Sequence, residues 1–131
     1  SSDLDYNVFE FIDALDKKDA LKAYRIVKYF DSNPKNFAIQ MLLGAMFKHY
    51  SDLLLAYYAP TRTEDGIAAW IGMNKYAVRY GILPAMGNLT ARKVFNVIGE
   101  IRKTDAASKG VGSVNLDTGD LLIELVSFIL H

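Results

Sequence analysis

Apolar residues recur along nearly the whole chain at the three- and four-residue intervals that build one face of an α-helix. No alternation of period two lasts for a strand's length. The pattern predicts an all-α fold, a single helical bundle of about six to seven helices over residues 1–131. Asn7-Val8-Phe9-Glu10 announces the first helix: Asn7 caps the free N–H groups, Glu10 stands at the capping-box position, and Tyr6 and Phe11 have the spacing of a hydrophobic staple. Asp16-Lys17-Lys18-Asp19 repeats the cap-plus-acid pattern and opens a second helix ending near Phe30. Its inward set is Leu21, Tyr24, Ile26, Val27 and Phe30, and Lys18, Lys22, Arg25 and Lys28 form its polar stripe.

Asp31-Ser32-Asn33-Pro34 is a turn, because Asp and Asn bond their own backbone and Pro fixes φ. The third helix runs from Phe37 to Ala59. Its track Phe37, Met41, Ala45, Lys48, Asp52 is the mixed one, and nearly every other track is apolar, so the helix is expected to be buried on most sides. Thr61 and Glu64 have capping-box spacing and open a short helix that breaks at Gly72. Another helix runs from about Lys75 to Leu83, interrupted by Pro84 and Gly87. Thr90 caps a long helix to about Ala107 with Val94, Ile98 and Ile101 on its inner track and Val97 beside them. Ser108 to Ser113, with two glycines, reads as a flexible connection. Asp117 or Thr118 starts the last helix, whose narrow polar track is Asp120, Glu124, Ser127 and His131.

Composition adds limits. At 51% apolar the chain has enough for a core, and its 15 basic residues balance 15 acidic ones, so no global field draws it to nucleic acid or anionic lipid. Without cysteine there is no disulfide, thiolate nucleophile or cysteine metal site, which fits a reducing, cytoplasmic setting. The chain opens on Ser1-Ser2 with no leader pattern, and is expected to be a piece of a longer protein. Lys48, His49, Ser51 and Asp52 interrupt the most apolar stretch, so it reads as a bundle helix and not as a membrane span.

Catalytic constellations are missing from the spacing. Lys109-Gly110-Val111-Gly112-Ser113 has the wrong order for a phosphate-binding loop and reads as a helix end. His49 and His131 fall on separate helices with no carboxylate at metal-ligand spacing. The expectation is a non-enzymatic chain with no catalytic, cofactor or metal residues. The sharpest local pattern is Ile67 to Val78. Ala68 permits close approach, Gly72 permits a turn and Val78 packs beneath, the layout of a helix-turn-helix. In that layout Asn74, Lys75, Tyr76 and Arg79 are candidate groove contacts. Arg92, Lys93, Arg102 and Lys103 form a second candidate face for non-specific phosphate contact, with Glu100 and Asp105 close by to offset it. Trp70, the single tryptophan, is expected in core or corner packing. The apolar last helix offers Leu121, Leu122, Leu125 and Phe128 as a candidate partner interface.

Several segments together resemble a known family. Tyr6-Asn7-Val8-Phe9-Glu10 with Ala14-Leu15 and Ala20-Leu21-Lys22-Ala23, Asn33-Pro34-Lys35-Asn36 before the long apolar helix, the corner from Ile67 to Tyr80, and Asp105 to Gly112 before the Leu-rich end follow in the order seen in C-terminal domains of bacterial DNA polymerase III clamp-loader delta subunits. The wording is most similar to forms from Bacteroidetes-type bacteria. The similarity covers essentially the whole chain. It implies a helical collar domain that holds the clamp-loader pentamer together beside gamma/tau and delta-prime, serving DNA replication. It also implies that the AAA+-type domains that bind the sliding clamp lie outside this chain, and that polymerase chemistry, a nucleotidyl transfer, belongs to another subunit. The alternative left open by the residues is a DNA-contacting helical module.

Overall fold

The computed structural model describes residues 5–110 and 117–131. These are all-helical: α1 (Val8–Asp16), α2 (Ala20–Asp31), α3 (Ile39–Ala56), α4 (Glu64–Ile71), α5 (Lys75–Ala77), a π-helical turn (Val78–Ile82), α6 (Leu83–Asn88), α7 (Ala91–Ser108) and α8 (Thr118–Leu130). Because α5, the π turn and α6 run on as one rod, the described residues form a bundle of seven helices without strands.

Side-chain caps place most of the starts. Asn7 accepts the Glu10 N–H at 2.8 Å, Thr90 that of Lys93 at 3.1 Å and Asp117 that of Gly119 at 3.1 Å. Each such bond satisfies an orphan donor of the first turn and contributes about 1 kcal/mol. Two caps differ from the sequence reading. Asp19, and not Asp16, caps α2, accepting the Lys22 N–H at 3.2 Å. Asp16 instead ends α1 and is buried, and Lys18, at a φ of 54°, reverses the chain between the two helices. Likewise Thr63, and not Thr61, caps α4 through the Gly66 N–H at 3.0 Å. Thr61 lies over Gly66 so tightly that a Cβ there would stand 2.5 Å from the Thr61 carbonyl oxygen.

Pro84 and Gly87 do not interrupt their helix. The chain passes through a π turn, in which the Leu83 N–H donates to the Val78 carbonyl five residues back, and Pro84 falls in the first turn of α6. The proline gives up one N–H inside this rod, and the wider π turn just before it lets the helix continue to Asn88.

One apolar cluster runs from α1 to α8. In it α3 packs along α7, α7 along α8, α8 along α2, and α2 along α1. Phe30 stacks on Phe37, with ring centroids 4.3 Å apart, and meets Phe11 edge-on, which ties α1 and α2 to the entry of α3. Tyr50, Leu53 and Met46 of α3 are fully enclosed. The inward set of α2 is Ala23, Ile26, Val27 and Phe30; Leu21, expected inward, is 73% exposed because it shares the i, i+4, i+7 track of Arg25 and Lys28. Nor is α3 buried on most sides. Met41, Phe47 and Leu55 are exposed, and the helix is open along two flanks. The last helix packs between α2 and α7, with Asp120, Ile123 and Glu124 on its open side. The connection read at 108–113 extends outside the described residues beyond Gly110, whose φ of 79° ends the turn after α7.

Candidate interaction surfaces

The corner between α4 and α5 is built as its sequence suggests. Gly72 adopts the left-handed conformation, φ 70°, that only glycine takes without strain, and the Met73 N–H closes on the Ala68 carbonyl at 2.9 Å. Ile67 and Val78 are fully buried beneath it. Trp70 is half exposed and donates from its indole N–H to the Leu55 carbonyl at 3.0 Å, which fastens the corner to the end of α3.

The candidate groove residues at this corner are largely engaged. Asn74 spends its side-chain oxygen on the Tyr76 N–H at 2.7 Å, as the cap of α5. Arg79 forks onto Glu64 through bonds of 2.9 and 2.8 Å, with its guanidinium near the rings of Tyr76 and Tyr80. The forked bond lowers the Glu64 carboxyl below its ordinary range and raises Arg79. Lys75 and Tyr76 remain exposed.

This pair gives the fold an acid dependence with a definite sign. A depressed carboxylate stabilises the fold above the unfolded-state value, about 4.3, and that contribution is lost as pH falls through the depressed folded value. Thermal melts taken from about pH 6 to pH 2 should fall less steeply for Glu64→Gln than for the parent. Identical slopes would show that the fork carries no linkage.

The second basic face is also partly spent. Lys93 donates from Nζ to the Phe128 carbonyl at 2.6 Å and lies 4.3 Å from the Phe128 ring centroid, so it satisfies a carbonyl in the last turn of α8. Burial lowers its ammonium, and Lys18 adds repulsion. The Arg102 guanidinium sits 5.5 Å from the Phe47 ring centroid, and Lys103 lies 3.4 Å from Glu100. Arg92 is exposed.

The candidate interface on the last helix is corrected. Leu121, Leu122 and Leu125 are buried, at 5%, 4% and 2% exposure, between α2 and α7 of the same chain, and Phe128 is half covered beneath Lys93. With the narrow polar track turned outward, only Ile123 among the large apolar residues of α8 is exposed.

Open apolar surface lies instead on the two flanks of α3. Between α3 and α7 runs a groove of about 500 Å³. Phe47, Leu55 and Tyr58 form one bank and Phe95 the other, at 37%, 48%, 70% and 66% exposure. Their spacing follows the helices: Phe47, Ser51 and Leu54 share one side of α3, with Tyr58 in the turn just after it, while Phe95, Gly99 and Arg102 share one side of α7. At the C-terminal end of α3 Tyr57 shares its hydroxyl proton between the Met86 carbonyl, at 3.1 Å, and the Leu89 carbonyl. Burial raises its phenol, against the opposing charge of Arg62.

On the other flank, α1, α3 and the rod carrying the π turn enclose a cleft of about 590 Å³. Here the fold brings together groups that the sequence keeps far apart. His49 Nε2 stands 2.6 Å from Asp16 Oδ2, and Tyr50 donates to Asp16 Oδ1 at 3.1 Å. Asn88 donates to the Asp16 carbonyl at 2.9 Å, so one residue ties the end of α1 to α3 and α6. Burial and the Asp16 charge push the Tyr50 phenol well up. The spacing of thirty-three residues between Asp16 and His49 gives no local signal for this contact. Among the described residues no three of His, Cys, Asp or Glu gather as a metal-holding group, and no helix is long and apolar enough to cross a membrane.

Comparison of the chain with protein-family profiles, curated proteins and solved structures gives no match.

Proposed function

We propose that this chain is a subunit-assembly domain, and that it serves as the collar segment of a clamp-loader delta subunit in bacterial DNA replication. The groove between α3 and α7 carries the reading: the large side chains of Phe47, Leu55, Tyr58 and Phe95 stand open along α3, the turn after it and α7, a surface that a partner helix covers by ridge-in-groove packing. Tyr and Phe are the residue types that anchor such contacts at low entropic cost. The residue resemblance supplies the partners, the collar domains of gamma/tau and delta-prime, and the all-α bundle is compatible with it. The test is co-elution of the chain with recombinant collar domains of those subunits.

A second reading, DNA contact, rests on the tight corner at Gly72 and the exposed pair Lys75 and Tyr76 beside it. It expects a gel shift with primer-template DNA that weakens steeply with added salt and is reduced by Lys75→Ala. The engagement of Asn74 and Arg79 within the fold favours the opposite result, no shift at high protein concentration.

A further inference from the structure

The α3–α7 groove carries a charge that narrows what can fill it. Among the described residues Arg102 is the one charged side chain of its lining. Its guanidinium is exposed and lies 5.5 Å from the Phe47 ring centroid. The acids nearby on the same helix are held by lysines: Glu100 lies 3.4 Å from Lys103 and Asp105 3.0 Å from Lys109. No described carboxylate stands at ion-pair distance from Arg102. A guanidinium stacked by its face keeps its N–H edges for an acceptor, and the ring already limits its orientation. Arg92, Phe95, Gly99 and Arg102 recur on one side of α7, so an exposed cation stands at each end of this edge. A Cβ on Gly99 would meet nothing within 4 Å, so α7 is notched where a neighbour's side chain can enter. From Phe47 to Leu55 the α3 bank runs about 12 Å, a little over two turns of a partner helix.

We infer that this groove takes an amphipathic helix of a different protein, one whose apolar stripe is flanked by a glutamate or aspartate that meets Arg102. This occupant rests on the assembly reading and gives the chemistry of the segment that assembles. Aliphatic side chains at i, i+4 and i+7 span about 10 Å and fit between the aromatic banks. A carboxylate beside them reaches the open edge of the guanidinium, which is shaped to take it through two N–H bonds. A second copy of the chain fits less well. The acidic open side of α8 carries one large apolar residue, Ile123, between Asp120 and Glu124, and two facing grooves would oppose their arginines. A nucleic-acid strand would use the arginines and the rings but leave the aliphatic Leu54, Leu55 and Ile98 unfilled.

Two short, end-capped, alanine-based helical peptides test it, both with leucine at heptad positions a and d, one with glutamate and the other with lysine at e and g. Titrated into the isotope-labelled 131-residue chain, the glutamate peptide should give saturable amide shifts at Ser51, Phe95 and Gly99, with a Kd at or below about 1 mM. The lysine peptide should bind about fivefold more weakly, since a partly exposed ion pair gives way to a like-charge contact. Arg102→Glu should reverse that order. Gly99→Leu, whose side chain would stand in the groove, should weaken both peptides at least about tenfold with the melt unchanged. No saturable shift up to about 5 mM glutamate peptide would overturn the proposal. So would equal binding of the two peptides, an unchanged order in Arg102→Glu, or a folded Gly99→Leu that binds like the parent. Shifts of these amides with oligothymidylate and with neither peptide would replace the helix by a nucleic-acid strand, and shifts that grow with the chain's own concentration would replace it by a second copy. Should Gly99→Leu fail to fold, Arg102→Glu and the peptide pair decide alone. Co-elution with the collar domains judges the assembly reading separately. Co-elution of the parent beside equal peptide binding sinks the charge rule alone, and charge-ordered peptide binding without co-elution sinks the partner assignment alone.

Discussion

Leu125→Asp is expected to abolish the cooperative thermal transition of the chain. Leu125 is 2% exposed in α8, which packs against both α2 and α7. The substitution forfeits about 2–3 kcal/mol of apolar burial. It also forces a carboxylate, or its costly protonation, into a site with no partner, which adds several kcal/mol. A domain of this size is stable by about 5–15 kcal/mol in all, so the sum consumes most or all of its stability. Far-UV circular dichroism against temperature measures the outcome. The control is Ile123→Asp, two residues away on the open side of the same helix at 45% exposure, which should change stability by less than about 1 kcal/mol. A Leu125→Asp chain melting within a few degrees of the parent would refute the packing of this face of α8 against α2 and α7.

The paired substitution Tyr58→Asp and Phe95→Asp is expected to act the other way, leaving the melt intact and removing assembly. Both side chains are about two-thirds exposed on opposite banks of the α3–α7 groove, so the isolated fold loses little when they change. In a covered interface each aromatic anchor is worth about 2 kcal/mol or more, and two carboxylates set against an apolar partner add a desolvation cost. Together they should weaken association at least about a hundredfold. Size-exclusion co-elution with the gamma and delta-prime collar domains, beside melts of the same proteins, reads both quantities. Undiminished co-elution of the variant would move the contact away from this groove. Failure of the parent chain to co-elute would remove the partner assignment itself.

The two outcomes together separate apolar surface that the fold uses from apolar surface that it leaves open. In the sequence, Leu125 and Phe95 belong to the same class, large apolar residues on amphipathic helices. By periodicity alone the final helix reads as available, because its polar track is narrow. In the fold that narrowness marks a helix packed by α2 on one side and α7 on another, with its polar track left outward. The available faces fall on α3 and α7, whose apolar residues extend past the neighbours that pack on them.

What the residues determined unaided is local. Helical class and most of the boundaries follow from periodicity, capping side chains and the left-handed glycine at position 72, all of which act within a turn or two of the chain. The errors at Asp16, Thr61 and Pro84 are equally local: a cap two or three residues further on starts the helix instead, or a π turn absorbs the proline. Only the tertiary structure decided which apolar faces meet each other, that Asp16 and His49 share a hydrogen bond across thirty-three residues, and that Arg79 is held by Glu64. Periodicity fixes which residues share a side of a helix, but the burial of that side depends on how many other helices come within packing distance. That is a property of the assembled bundle and of no single segment.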